Sequence, residues 1–238
     1  TLHQYLKFNI PRILSLINRD RYSRTYGCFD REYWHYKSKA FFNGMTQCYI
    51  LSLALIFSKK FEGNYFYQNQ QLKNLILGAI WFSLKNMHDD GSFDEHYLNE
   101  HSFAATSFLL YSISESLLLI KIDGSPFIPC LSKSARFLIK NGEYYTRSNH
   151  IACSALALYN LFLMSGKEEF RVQSEWFLSR LFQKRSTEGW FCEYKGFDPG
   201  YLTFTLYFLA KLVLKNGNEE LRSTLRETID FCSHFLHP

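Results

Sequence analysis

Proline is scarce in this chain, five in 238 residues, and glycine numbers only twelve. A fold of many short strands joined by tight turns needs more of both, so long helices with short connections are expected instead. No Pro/Gly/Ser-rich stretch or composition shift separates one part from another, and a single domain over 1–238 is expected. There is no basic stripe either. The formal charge is +5 with Lys and Arg scattered, which argues against a nucleic-acid partner while remaining compatible with an anionic small molecule or polysaccharide. HExxH, CxxC, the P-loop, GxGxxG and DDxxD-like acidic runs are all missing, so neither a metal nor another cofactor is expected. The six cysteines lie far apart and read as buried small apolar residues in a reducing compartment, although an even count leaves disulfides open.

Long uncharged runs are lacking too. Phe103 to Ile120 is interrupted by Glu115, and Tyr201 to Leu214 by Lys211. Neither offers the roughly 20 uncharged residues that cross a bilayer, so both read as buried helices and no transmembrane segment is expected. No basic region followed by an apolar core opens the chain, which predicts a cytoplasmic protein. Because the sequence begins with Thr1, a periplasmic protein with its leader removed is the alternative.

What the chain has in abundance is apolar surface, 47% of residues, of which aromatics are 18% of the whole. Helical spacing predicts helices over 3–19, 41–58, 70–87, 101–119, 130–140, 150–164, 168–185, 201–215 and 219–236. In the first, Leu6, Ile10, Ile13, Leu14 and Ile17 form the stripe, and Pro11 bends it or marks its true start; in the last the stripe is Leu221, Leu225, Ile229, Cys232 and Leu236. Helices with one apolar stripe alternate with helices apolar nearly all round, which must be covered on all sides. The order is outer helix, loop, inner helix. The loops also repeat: setting Gly91 on Gly189 without a gap puts Phe93 on Phe191, Glu95 on Glu193 and Glu100 on Asp198. The expected fold is all-α, an incomplete α/α toroid of about four to five helical hairpins, with an α-solenoid arc as the alternative.

Every long loop joins an outer helix to the next inner one, so all open at the same end, where a site is expected. Glu100, Asn149 and Asp198 stand where N-caps of inner helices belong. Glu95 and Glu193, five residues earlier, are not needed as caps; they either brace their loops, through Arg31 or Arg147, or line a cavity as carboxylates able to bind sugar hydroxyls or move protons. Tyr144, Arg147, Asn149 and His150 gather at one loop-to-helix junction. There Asn and Arg could neutralise an acidic substrate while His or Tyr handles protons. Trp34, His35, Tyr36, Trp190, Tyr194 and Tyr201 supply flat faces suited to sugar rings, or else fill the core. If the four loop carboxylates face one cavity without basic partners, at least one should have a raised pKa.

Ser148-Asn149-His150 opening a helix, then Gly189-Trp-Phe-x-Glu193 and Tyr201 at the next inner helix, resembles the toroid domain of heparinase II/III-like polysaccharide lyases over roughly residues 70 to 215. The resemblance implies β-elimination at a uronate, with Asn149 neutralising the carboxylate, His150 as base and Tyr201 as acid; the charge of Arg147 is expected to assist Asn149, with Glu193 beside them. Those lyases usually continue into a β-sandwich domain. The Gly27–Trp34 loop and the Asn99–Thr106 run are also similar to toroid proteins associated with making bacterial surface polysaccharides. That implies the other function, a non-catalytic glycan-binding or scaffolding toroid. The unpaired last helix leads to two further expectations, a homodimer that covers it or a C-terminal domain of which this chain is a fragment.

Overall fold

A computed structural model describes residues 2–235, with side-chain surroundings from residue 8 onward. Leu236 of the last expected stripe lies outside the described residues, as does the side chain of Leu6. The protein is all-α. Its backbone contacts fall into two compact units, Thr1–Phe137 and Leu138–Pro238, where the sequence led to an expectation of one domain.

The first unit holds α1 (Leu2–Leu16), α2 (Arg31–Trp34), α3 (Gly44–Gln47), α4 (Tyr49–Ser58), α5 (Gln70–Lys85), α6 (Phe103–Ile120) and the start of α7 (Ile128–Gly142). Helix α4 packs against both α5 and α6. The most apolar helix, α6, is capped by Ser102, whose hydroxyl accepts from the Ala105 N–H at 3.1 Å. It is long and apolar enough to cross a membrane, but 83% of it is buried inside the protein, as a core helix requires. One expected helix is broken. Within 41–58 the Cys48 N–H bonds back to Met45 O at 3.1 Å, a tight turn that separates α3 from α4, while Asn43 caps α3 through the Met45 and Thr46 N–H groups.

The second unit holds α8 (Ser148–Ser165), α9 (Glu168–Phe182), α10 (Pro199–Asn216) and α11 (Glu219–Ser233). Helix α8 packs on α9 and α10, and α10 on α11. Helix α10, expected to be buried on all sides, is not: Phe204, Tyr207 and Leu214 are exposed.

The repeated loop is equivalent in backbone as well as in sequence. His88 N donates to Ser92 O and Gly91 N to His88 O in one copy; Ser186 N to Trp190 O and Gly189 N to Ser186 O in the other. Both glycines have positive φ, +92° and +96°. Each glycine carbonyl accepts a hydroxyl from an outer helix, Ser134 of α7 at 2.7 Å and Thr228 of α11 at 2.7 Å. Phe93 and Phe191 are then buried at equivalent points, 1% and 0% exposed. After them the copies part: Phe93 bridges to Ser102, whereas Glu193 turns tightly onto Gly196.

Candidate functional site

The residues singled out in the second unit come together around the start of α8. The chain turns at Glu193 and Gly196, which exchange two backbone bonds of 2.7 Å, with Tyr194 and Lys195 both at positive φ, 45° and 74°. That turn sends the Glu193 carboxylate inward and the Tyr194 ring outward. Glu193 is 1% exposed, and its Oε1 accepts from the Asn149 backbone N–H at 2.6 Å and from Asn149 Nδ2 at 3.0 Å. Ser148 Oγ donates to Cys192 O at 2.6 Å.

These bonds correct two expectations. Asn149 is not the N-cap of α8; that position is Arg147, whose side chain makes no capping bond, and Asn149 lies buried in the first turn. Glu193, thought unnecessary for capping, satisfies the helix start from 44 residues away in sequence. Asp198 does cap α10, accepting from the Tyr201 N–H at 2.8 Å with Pro199 at the first helical position.

Burial pushes the Glu193 pKa up, against the Asn149 and Ser148 hydrogen bonds and the charge of Arg147, which all pull it down. Its Oε2 is buried without a hydrogen-bond partner. The expected raised pKa is there, but desolvation rather than crowding by another carboxylate produces it.

On the outer side, the Arg147 guanidinium lies 3.7 Å from the centre of the Tyr194 ring. Tyr194 stands 5.1 Å from the Tyr201 ring, with the two hydroxyls 3.5 Å apart. Tyr194 is 52% and Tyr201 36% exposed, so two aromatic rings meet solvent beside a half-buried cation. The Tyr194 hydroxyl raises the pKa of Tyr201, which keeps that phenol neutral at neutral pH. His150 bonds to the Tyr145 hydroxyl at 2.7 Å with the rings stacked. Burial, helped by the charge of Arg147, lowers its pKa to about 4. Tyr144 is largely exposed, and Trp190 is held by its Nε1 on Glu188 at 2.7 Å and by Phe197.

In the first unit the corresponding residues do something else. Glu100 is not an N-cap either, since Ser102 takes that place; its Oε2 braces the loop by accepting the N–H groups of Glu95 at 2.9 Å and His96 at 2.7 Å. Glu95 accepts from Ser102 Oγ at 3.2 Å and pairs with His96. Arg31 lies over Tyr36, Trp34 donates to Leu16 O at 2.9 Å, and His35 packs edge-on between Trp34 and Tyr36. Among the described residues none of Glu95, Glu100, Glu193 and Asp198 forms an ion pair with Arg or Lys.

Sequence reasoning passed over a buried, fully engaged carboxylate of this loop. Asp94, 5% exposed, accepts from His88 Nε2 at 2.9 Å, the His101 N–H at 3.1 Å and the Asn99 N–H at 2.9 Å. Although burial acts to raise it, the His101 N–H and the His88 side chain hold its pKa below the usual value. Asp94 aligns with Cys192, so the internal repeat that drew attention to Glu95 hid its neighbour. The signal was the density of His and Asp between His88 and His101.

Among the described residues no group of three or more His, Cys, Asp or Glu side chains is arranged to hold a metal ion. Comparison with protein-family models, with curated proteins and with solved structures finds no match.

Proposed function

We propose that this chain is a carbohydrate-binding protein, a non-catalytic module that holds an acidic polysaccharide, on helical hairpins arranged as an α/α toroid or an arc of one. The observation that carries this reading is the Arg147 guanidinium over Tyr194 beside Tyr201. A sugar carboxylate needs a cation, and the apolar face of a sugar ring needs a flat aromatic surface; here a half-buried guanidinium stands beside two exposed tyrosine rings. Among the described residues the Arg147 guanidinium forms no ion pair with a carboxylate.

Lyase-like β-elimination at a uronate is the second reading. It draws support from His150, whose lowered pKa keeps the imidazole neutral at neutral pH, as a base requires. It is the less favoured because the Asn149 amide, which would neutralise the uronate, is buried and committed to Glu193.

Titrating the protein with uronic-acid oligosaccharides, while following ultraviolet absorbance for an unsaturated product, separates the two. The binding reading expects saturable binding that weakens with salt, a loss of roughly tenfold in Arg147→Gln from one charge-assisted contact, and no absorbance rise. A rise abolished in His150→Ala would move the assignment to the lyase. Affinity unchanged in both Arg147→Gln and Tyr194→Ala would remove the platform from either reading.

A further inference from the structure

A small cleft in the first unit, about 180 Å³, opens beside the His88–Asp94 pair and is independent of the Arg147 platform. Its walls are Tyr33 of α2, Phe41, Phe42 and Leu98, and its polar edge is Asn86, His88 and Asp94. Phe42 is fixed from behind by edge-on contacts with Phe82 and Phe93, at 5.1 and 6.2 Å between ring centres. The aromatic side is therefore rigid, which lowers the entropic cost of using it as a binding wall.

The polar edge is equally constrained. Asp94 is held ionised by the backbone N–H groups of Asn99 and His101, so His88 must present the proton of Nε2 to it. The other ring nitrogen, Nδ1, has no hydrogen-bond partner among the described residues. Asn86 spends its amide N–H on Phe82 O at 2.8 Å, which leaves its side-chain oxygen as an acceptor. Asn99 and His101 both take left-handed backbone conformations, φ 59° and 53°, to direct their N–H groups at Asp94. The loop thus accepts backbone strain to fix one carboxylate and, through it, one imidazole.

We propose that this cleft binds a single neutral, hydroxyl-bearing sugar ring, its apolar face on Tyr33 and Phe41 and its hydroxyls hydrogen-bonded to His88 Nδ1 and Asn86 Oδ1. The size decides for one ring, because sites for larger ligands usually run to roughly 300 Å³ or more. The charge decides for a neutral one: the Asp94 carboxylate, held ionised, lies on the polar edge and repels a sugar carboxylate but not a hydroxyl. His88 is the contacting residue and Asp94 the positioning residue that holds its ring through Nε2.

The test uses the full chain and four probes, the methyl glycosides of glucose, galactose and mannose and methyl glucuronide, followed through the His88 imidazole resonances. Saturable shifts are expected with at least one neutral glycoside, with the glucuronide weaker. Leu98→Ala, an exposed cleft residue whose loss leaves the core intact, and His88→Gln should each weaken binding about tenfold, on the order of one hydrogen bond or one apolar contact. Asp94→Asn should in addition lose the Nε2–H signature in the ¹⁵N spectrum of His88. No shift at His88 with any neutral glycoside overturns the proposal, as does glucuronide binding at least as tightly, or full affinity in both Leu98→Ala and His88→Gln.

Discussion

Glu193 shows how a single side chain can be read correctly as special and incorrectly as to why. Its position in a repeated loop left two readings, a brace or a cavity carboxylate, and ruled out a cap; its Oε1 in fact closes the start of α8 through two bonds to Asn149. Because burial raises its folded-state pKa, Glu193 contributes stability that is fully present below the unfolded-state value near 4.5 and is lost as pH rises through the folded-state value. Glu193→Gln keeps an acceptor for Asn149 without the buried charge. Urea unfolding should find it within about 1 kcal/mol of the wild type or more stable at neutral pH, with a flatter dependence of stability on pH above that unfolded-state value. Glu193→Ala leaves the Asn149 N–H and amide unpaired and should cost about 1–3 kcal/mol. Equal stability of the alanine variant and the wild type would show that the contact is not a cap.

At the level of elements, the helices follow from apolar spacing, and their termini from particular bonds. Ser102, Asp198, Asn69 and Asn218 each accept a first-turn N–H of their helix. Two glycines with positive φ separate tertiary from local demands. A Cβ on Gly91 would lie 2.3 Å from the Lys133 backbone of α7, whereas one on Gly217, the left-handed cap of α10, meets nothing within 4 Å. Gly91→Ala should therefore destabilise by about 3 kcal/mol or more, and Gly217→Ala by about 1 kcal/mol, the strain of the left-handed conformation alone. Thermal unfolding of the two variants side by side checks this; equal losses would mean that the loop does not press on α7.

For the molecule as a whole, burial holds it together without covalent help. None of the six cysteines forms a disulfide, and burial pushes Cys28 and Cys48 up to about 12. Reducing agent should leave the midpoint of thermal unfolding unchanged, and native alkylation near neutral pH should spare those two thiols while denaturant exposes them. A midpoint that falls on reduction would reveal a disulfide and overturn this. The all-α class and most helix bounds were legible in the sequence, because apolar periodicity is local: each residue's face is decided by neighbours three and four positions away. The repeat was legible too, down to the glycines and Phe93 with Phe191, since identical local turns need identical residues. What only the tertiary structure decided is which partner each polar group finds. Glu193 meets Asn149 across 44 positions, and Ser102 rather than Glu100 caps α6. Asp94, which no periodicity marks, gathers His88, Asn99 and His101 beside an aromatic cleft. A hydrogen bond depends on distances of a few tenths of an ångström between groups remote in the chain, and that information exists only once the chain has folded.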